Sequence, residues 1–144
     1  NSDFYMVGGM GHTLSVALGY SLSNKNKTIC IDGDGSLLMH LGSLKTTGTF
    51  ADKNLKYILL NNNSHDSVGG QNTYSDKVDF SKLSKSLGFN YYYSIKNKNN
   101  LKKIIKKFLS RNNLSFLEVK VGNSKIKNLP RPKDLIKIKN QFMK

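Results

Sequence analysis

The chain has 144 residues, with 23 Lys and Arg against 9 Asp and Glu, for a formal net charge of +14. An apolar content of 38% and a mean hydropathy of −0.45 describe a water-soluble chain of one domain's length, enough to bury a single sheet-centred core. No stretch nears the ~18 apolar residues of a membrane-spanning helix, and none reads as a leader peptide.

The lysines are interleaved with asparagines in "NKNK", "IKNKNNLKKIIKK" and "RPKDLIKIKNQFMK" rather than gathered beside aromatic residues. A Lys/Asn-rich codon bias would give the same pattern. The expectation is a solvated basic surface with no specific nucleic-acid partner and no membrane partner, though its charge would draw anionic substrates over distance. Cys30 has no second cysteine to pair with, so a reducing compartment, the cytoplasm, is expected. Because the chain opens on Asn1 rather than Met, it is expected to be a piece of a longer protein or a processed chain.

In chain order, "GMGHTLSVALGYSL" (9–22) carries apolar residues at Met10, Leu14, Ala17, Leu18 and Leu22, the spacing of a helix packed on a sheet. "KTICID" (27–32) reads as a buried strand, "GSLLMHLGSLKTTGTF" (35–50) as one helix, and "LKYILLN" (55–61) as a second buried strand. A loop rich in Asn, Ser and Gly runs on to about Thr73. "VDFSKLSKSLG" (78–88) reads as a helix closed by Gly88, and "FNYYYSI" (89–95) as a strand. In "LKKIIKKFLS" (101–110) the apolar Leu101, Ile104, Ile105, Phe108 and Leu109 form one helical stripe. Such a stripe marks either a sheet-covering helix with a solvated outer face, the preferred reading, or an amphipathic surface element. "LSFLEVKV" (114–121) is the last strand, followed by a polar connection with Pro130 and Pro132 and a basic terminal segment, a short helix or an extension. This alternation predicts an α/β fold, a doubly wound, mostly parallel sheet with helices on both faces. It forms a single domain over 1–144, with a basic C-terminal extension from about residue 123.

Two strands end on oxygen-bearing side chains, one on "GDG" at 33–35 and the next on "NNN" at 61–63. Open α/β sheets place ligands at these strand ends. Gly33 and Gly35 let the backbone turn and approach a ligand, and the helix beginning near Ser36 aims free N–H groups at the same point. A carboxylate at Asp34 would repel a phosphate unless a cation lay between them. Magnesium fits, as a hard ion taking oxygen from one or two protein groups and from substrate phosphates. The asparagine amides offer further hard oxygens. A Walker-type loop is absent, and "GDGSLL" lacks the third glycine of a dinucleotide fingerprint. Gly-Asp-Gly alone is as often a tight turn as a site. Followed after 25 residues (36–60) by Asn-Asn, it is far more specific.

Those two segments resemble the two halves of the thiamine diphosphate motif of thiamine-dependent enzymes, and the chain to about Val121 resembles that family's diphosphate-binding domain. "VGGMGH", "GDGSLLMHLGSL" and "HDSVGGQNT" together are most similar to its phosphonopyruvate and sulfopyruvate decarboxylase branch. The resemblance implies thiamine diphosphate and Mg²⁺ as cofactors and a small anionic 2-oxo acid as substrate, phosphonopyruvate before sulfopyruvate. Asp34, Asn62 (rather than Asn61) and the backbone carbonyl of Ser64 would hold the metal. Gly33, Gly35 and Ser36 would contact the diphosphate through N–H or hydroxyl groups. In the "GGMG" turn of Gly8 and Gly9, the Gly8 carbonyl would accept from the cofactor's exocyclic amine. Met10 would wedge the cofactor into its bent form.

The family also uses a glutamate from a different, pyrimidine-binding domain, and Glu118 is the single glutamate here. A pyrimidine-binding domain or subunit, in a homo- or hetero-oligomer, is therefore expected to complete the enzyme. A cofactor-binding module without catalysis is the alternative. His65 and Asp66 are the candidates to face substrate, with Gln71 a weaker one. His12 reads as a structural hydrogen bonder. "SVGGQNT" is either a surface loop or a segment that orders over substrate.

Overall fold

A computed structural model of the chain describes residues 3–122, 130 and 132–143. Four parallel strands, β1 (Thr28–Gly33), β2 (Leu55–Asn61), β3 (Tyr91–Ile95) and β4 (Ser115–Lys120), form one sheet in the order β1-β2-β4-β3. The helices are α1 (Thr13–Ser23), α2 (Asp34–Met39), α3 (Gly42–Phe50), α4 (Phe80–Ser86), α5 (Leu101–Ser110) and α6 (Leu135–Phe142).

Period-two alternation divides the strands between two cores. On one face, Leu14 and Leu18 of α1, Leu44 of α3 and Phe80 of α4 pack on Tyr57, Leu59 and Phe116. The Tyr57 and Phe116 rings meet edge-on with centroids 4.9 Å apart. On the other face, Phe108 of α5 packs with Leu117 and Ile95, and Ile58, Ile104, Ile105 and Val119 surround them. Lys102, Lys103, Lys106 and Lys107 face solvent, so α5 is the sheet-covering helix that its apolar stripe predicts. Helices lie on both faces, and the α/β expectation holds.

Several local expectations need correction. The first helix begins at Thr13, not near residue 9, because Gly8 (φ 78°) and Gly11 (φ 88°) take left-handed backbone that no helix contains. Met10 therefore sits in a turn rather than on a helix face. The helix expected over 35–50 is two: His40 leaves helical backbone (φ −137°, ψ 52°), its ring stacked edge-on against His12 at 4.4 Å. β1 is an edge strand, buried on one side only: α5 does not reach it, and Ile29 and Ile31 stay 47% and 58% exposed. The terminal basic segment contains α6, capped by Asp134, and Phe142 packs its ring on Phe4 and Tyr20. Most of the polar connection expected before it, 123–129 and 131, lies outside the described residues. Gly88 does close its helix, at φ 107°.

The β1–β2 register pairs Gly33 with Leu60, and the β2–β4 register pairs Asn61 with Lys120. These strands thus end level, and their last polar side chains open onto one end of the sheet.

Candidate active site

Alternation along β1 turns Asp32 to the same buried side as Cys30. Asp32 accepts from the Gly33 N–H at 3.0 Å and the Tyr57 hydroxyl at 3.2 Å. The Ser36 and Thr13 side chains also donate to it. Burial pushes the Asp32 carboxyl above its ordinary range, and these donors oppose that shift without cancelling it. Two residues on, Asp34 opens α2 and is 1% exposed. Its partner is the Thr73 hydroxyl, which donates to Oδ2. Among the described residues no lysine, arginine or histidine pairs with it.

The asparagines divide in the same way. Asn61, 3% exposed, donates Nδ2 to Glu118 Oε1 at 2.7 Å, and its Oδ1 accepts from Ser75 Oγ at 2.7 Å and the Asn63 N–H at 3.2 Å. Both ends of its amide are engaged. Asn62 donates Nδ2 to Asp66 Oδ2 at 2.8 Å, and among the described residues its Oδ1 accepts only the Ser64 N–H, at 3.1 Å. Asn63 takes left-handed backbone (φ 58°) and gathers Ser75 Oγ and the Asp76 N–H onto its side-chain oxygen.

The loop after β2 is ordered by its own bonds. Ser64 bridges Asn72, the His65 N–H donates to the Gln71 carbonyl at 2.8 Å, and a 3-10 turn spans Asp66–Val68. His65 is thereby pressed onto Gly35: a Cβ added there would stand 2.4 Å from Nδ1. Any side chain at 35 would displace the imidazole. The His65 Nδ1 is buried and has no hydrogen-bond partner among the described residues.

A cavity of about 300 Å³ opens between these elements. Met10, Gly33, Asp34, Gly35 and Ser36 line one side, and Asn62, Ser64, His65 and Asp66 the other. Gly8 and Gly9 do not line it; they form the turn that delivers Met10, with Gly9 tight against the Met6 sulfur. Gln71 is exposed, and His12 packs on His40 away from the cavity. The Ser36 hydroxyl is already committed, since it accepts the Gly11 N–H at 2.9 Å and donates to Asp32. Its backbone N–H is the group left for a ligand. A larger groove of about 830 Å³ follows the free edge of β1 between α1 and Phe142, and it holds none of the residues singled out from sequence.

The donor set fits a hard divalent cation: a buried carboxylate without a cationic neighbour, an amide oxygen with spare capacity and a backbone carbonyl around one cavity. Glu118 does not line this cavity. It accepts from Asn61 Nδ2, from the Tyr92 hydroxyl and from Lys120 Nζ at 2.6 Å. Burial pushes its carboxyl up, but the bonds from Lys120, Tyr92 and Asn61 outweigh burial and hold it below its ordinary value.

Residues 2–119 match the family model described as "Thiamine pyrophosphate enzyme, C-terminal TPP binding domain". The chain belongs to this family. The phosphonopyruvate decarboxylase of Streptomyces viridochromogenes is 35% identical over 133 residues, 92% of this chain and 34% of that protein. The sulfopyruvate decarboxylase subunit beta of Methanococcus maripaludis is 34% identical over 145 residues, 98% of this chain and 76% of that subunit. In fold, the chain resembles the X-ray structure of a Mycobacterium smegmatis protein described as a thiamin diphosphate-dependent enzyme. The TM-score is 0.66 at 19% identity, over 81% of this chain and 23% of that one. The chain spans about a third of the length of the phosphonopyruvate decarboxylases that it matches. Binding thiamine pyrophosphate is thus the family's property, and the cavity at the ends of β1 and β2 is where this member offers suitable donors.

Sequence reasoning missed Asp32 and Thr73. Alternation in "CIDGDG" puts Asp32 on the buried side with Cys30, a signal that was available. Nothing local marks Thr73, which reaches Asp34 across 39 residues.

Proposed function

We propose that this chain is the diphosphate- and magnesium-binding part of a thiamine diphosphate-dependent decarboxylase. Its substrate is a 2-oxo acid with a second anionic group, phosphonopyruvate, which would yield phosphonoacetaldehyde and CO₂. The observation that carries this reading is Asp34, a buried carboxylate without a cationic partner among the described residues, on the same cavity as Asn62 and Ser64. Asp34, the Asn62 amide oxygen and the Ser64 carbonyl hold the Mg²⁺. The Gly33, Gly35 and Ser36 backbone N–H groups take the diphosphate, the Gly8 carbonyl accepts from the cofactor's amine, and Met10 supports its bent form. When bound, the cofactor supplies the electron sink for loss of CO₂.

His65 lines this cavity, its Nδ1 buried against Gly35, and is the group of this chain assigned to the substrate's anion or proton. Glu118, the chain's one glutamate, is held by Asn61, Tyr92 and Lys120, so the carboxylate that acts on the cofactor's pyrimidine comes from a separate domain or subunit. The net charge of +14 favours anionic substrates at long range. Among the described residues no helix is long and apolar enough to cross a membrane, and buried, unpaired Cys30 suits the cytoplasm. One observation favours a second reading, the beta subunit of a sulfopyruvate decarboxylase: a relative of that name is covered to 76% of its length.

The test is steady-state decarboxylation by the complete enzyme on phosphonopyruvate, sulfopyruvate and pyruvate. The expected result is Mg²⁺-dependent turnover of phosphonopyruvate, lowered roughly 10²-fold in kcat/KM by His65→Ala, and no turnover by this chain alone. Turnover by the isolated chain would contradict the division of labour. Preference for sulfopyruvate would select the second reading, and no turnover of any of the three would leave a binding module.

A further inference from the structure

We infer that Asp66 and Thr73 are positioning residues, each fixing one of the two side chains that hold the magnesium. This rests on the metal assignment above and adds how the site is set. An amide ligand must present its oxygen rather than its nitrogen to a cation, and the two differ only by a flip of the side chain. Asp66 decides that flip. Its Oδ2 takes the Asn62 Nδ2 at 2.8 Å, and a carboxylate only accepts, so the nitrogen is held on that side and the oxygen on the other. The flipped amide would set oxygen against carboxylate and N–H against the metal. The same carboxylate accepts from Ser64 Oγ at 2.8 Å through Oδ1, tying down the residue whose carbonyl completes the protein's share.

Thr73 does the equivalent for Asp34. Its hydroxyl donates to Asp34 Oδ2 while accepting the Ser75 N–H at 3.3 Å, so its one proton is directed at the carboxylate. The alternative acceptor, Asn63 Oδ1, stands farther off at 3.4 Å. Asp34 is left with Oδ1 free of protein donors among the described residues. Both positioning residues come from the loop that leaves β2 and returns on itself through the Ser64–Asn72 bridge and the Thr73 N–H to Asn63 carbonyl bond at 3.3 Å. One short loop therefore sets ligands that arrive from two strands. Such outer partners of ligating carboxylates and amides typically contribute 10–100-fold to metal affinity.

The experiment measures thiamine diphosphate binding to the complete enzyme by calorimetry across a Mg²⁺ series, together with melting temperatures without metal. Thr73→Val and Asp66→Ala should each raise the Mg²⁺ concentration for half-maximal cofactor binding about 10–100-fold. Thr73→Ser, which keeps the hydroxyl donor, should return most of it. A lower metal-free melting temperature with an unchanged Mg²⁺ half-point in Thr73→Val and Asp66→Ala would overturn the inference, since a merely structural bond moves stability and not metal demand. If Asp66→Ala fails to fold, the Thr73 pair decides. The functional reading fails separately, if the unaltered enzyme binds the cofactor without Mg²⁺.

Discussion

Asp32 and Asp34 stand two residues apart at the end of β1, both buried, in surroundings that differ in kind. Asp32 is surrounded by donors from Gly33, Tyr57, Ser36 and Thr13, whereas Asp34 has the single hydroxyl of Thr73 and a cavity before it. The end of β2 repeats the contrast: Asn61 engages both ends of its amide with Glu118, Ser75 and Asn63, and Asn62 keeps acceptor capacity beside the same cavity. Buried polar groups need partners. Where the protein supplies them all, the group belongs to the scaffold; where it leaves a carboxylate short, capacity remains for a ligand. Each strand end thus carries one anchor and one group facing the cavity.

After the two aspartates, the largest effect expected from this division lies at the asparagines. Asn62→Ala in the complete enzyme should weaken Mg²⁺-dependent cofactor binding by about 10–100-fold with little change in melting temperature. Asn61→Ala should lower the melting temperature, because Glu118 and Ser75 lose a buried partner at about 1–3 kcal/mol. Binding isotherms and thermal melts on both variants check the split, and interchangeable effects would break it.

Met10, on the same cavity, sharpens the contrast as its apolar member. Its side chain faces the cavity without a polar bond to give, so Met10→Ala should reduce kcat by roughly tenfold or more while cofactor affinity changes less. Collapsed affinity with preserved turnover in the saturated enzyme would assign Met10 a different role.

The smallest effects concern pH, and here the anchors oppose one another. Glu118 is held below its ordinary value, so its stabilisation is present above about pH 4.5 and is lost as pH falls through the lower folded value. Asp32 is raised above 3.8, so its ionisation costs stability above the folded value, and acid relieves that cost. In urea titrations, the deficit of Glu118→Gln should shrink as pH falls below about 4.5. The deficit of Asp32→Asn should be least at pH 7 and grow in acid. Parallel pH profiles for the two variants would contradict these opposite signs.

Periodicity made the sheet and its covering helices legible, because period two and period 3.6 follow directly from which face is buried. The glycines and oxygen side chains at the strand ends marked the site for a similar reason: their spacing follows from one crossover. The break at His40 was not legible: no glycine or proline stands at the break, and the ring it meets, His12, lies 28 residues earlier in the chain. The exposed side of β1 was hidden because an edge strand and a central one can carry the same "TICI". Choosing Asn62 over Asn61 rested on resemblance; that Asn61 is bonded to Glu118 appears only when β2 and β4 pair.

The most direct test of the central claim sets the two aspartates side by side. Thiamine diphosphate is titrated calorimetrically into the complete enzyme carrying Asp32→Asn or Asp34→Asn, with and without Mg²⁺. The account predicts that Asp34→Asn abolishes the Mg²⁺-dependent part of binding, while Asp32→Asn retains it within a few-fold. Unchanged Mg²⁺ dependence in Asp34→Asn, or its loss in Asp32→Asn alone, would contradict the account.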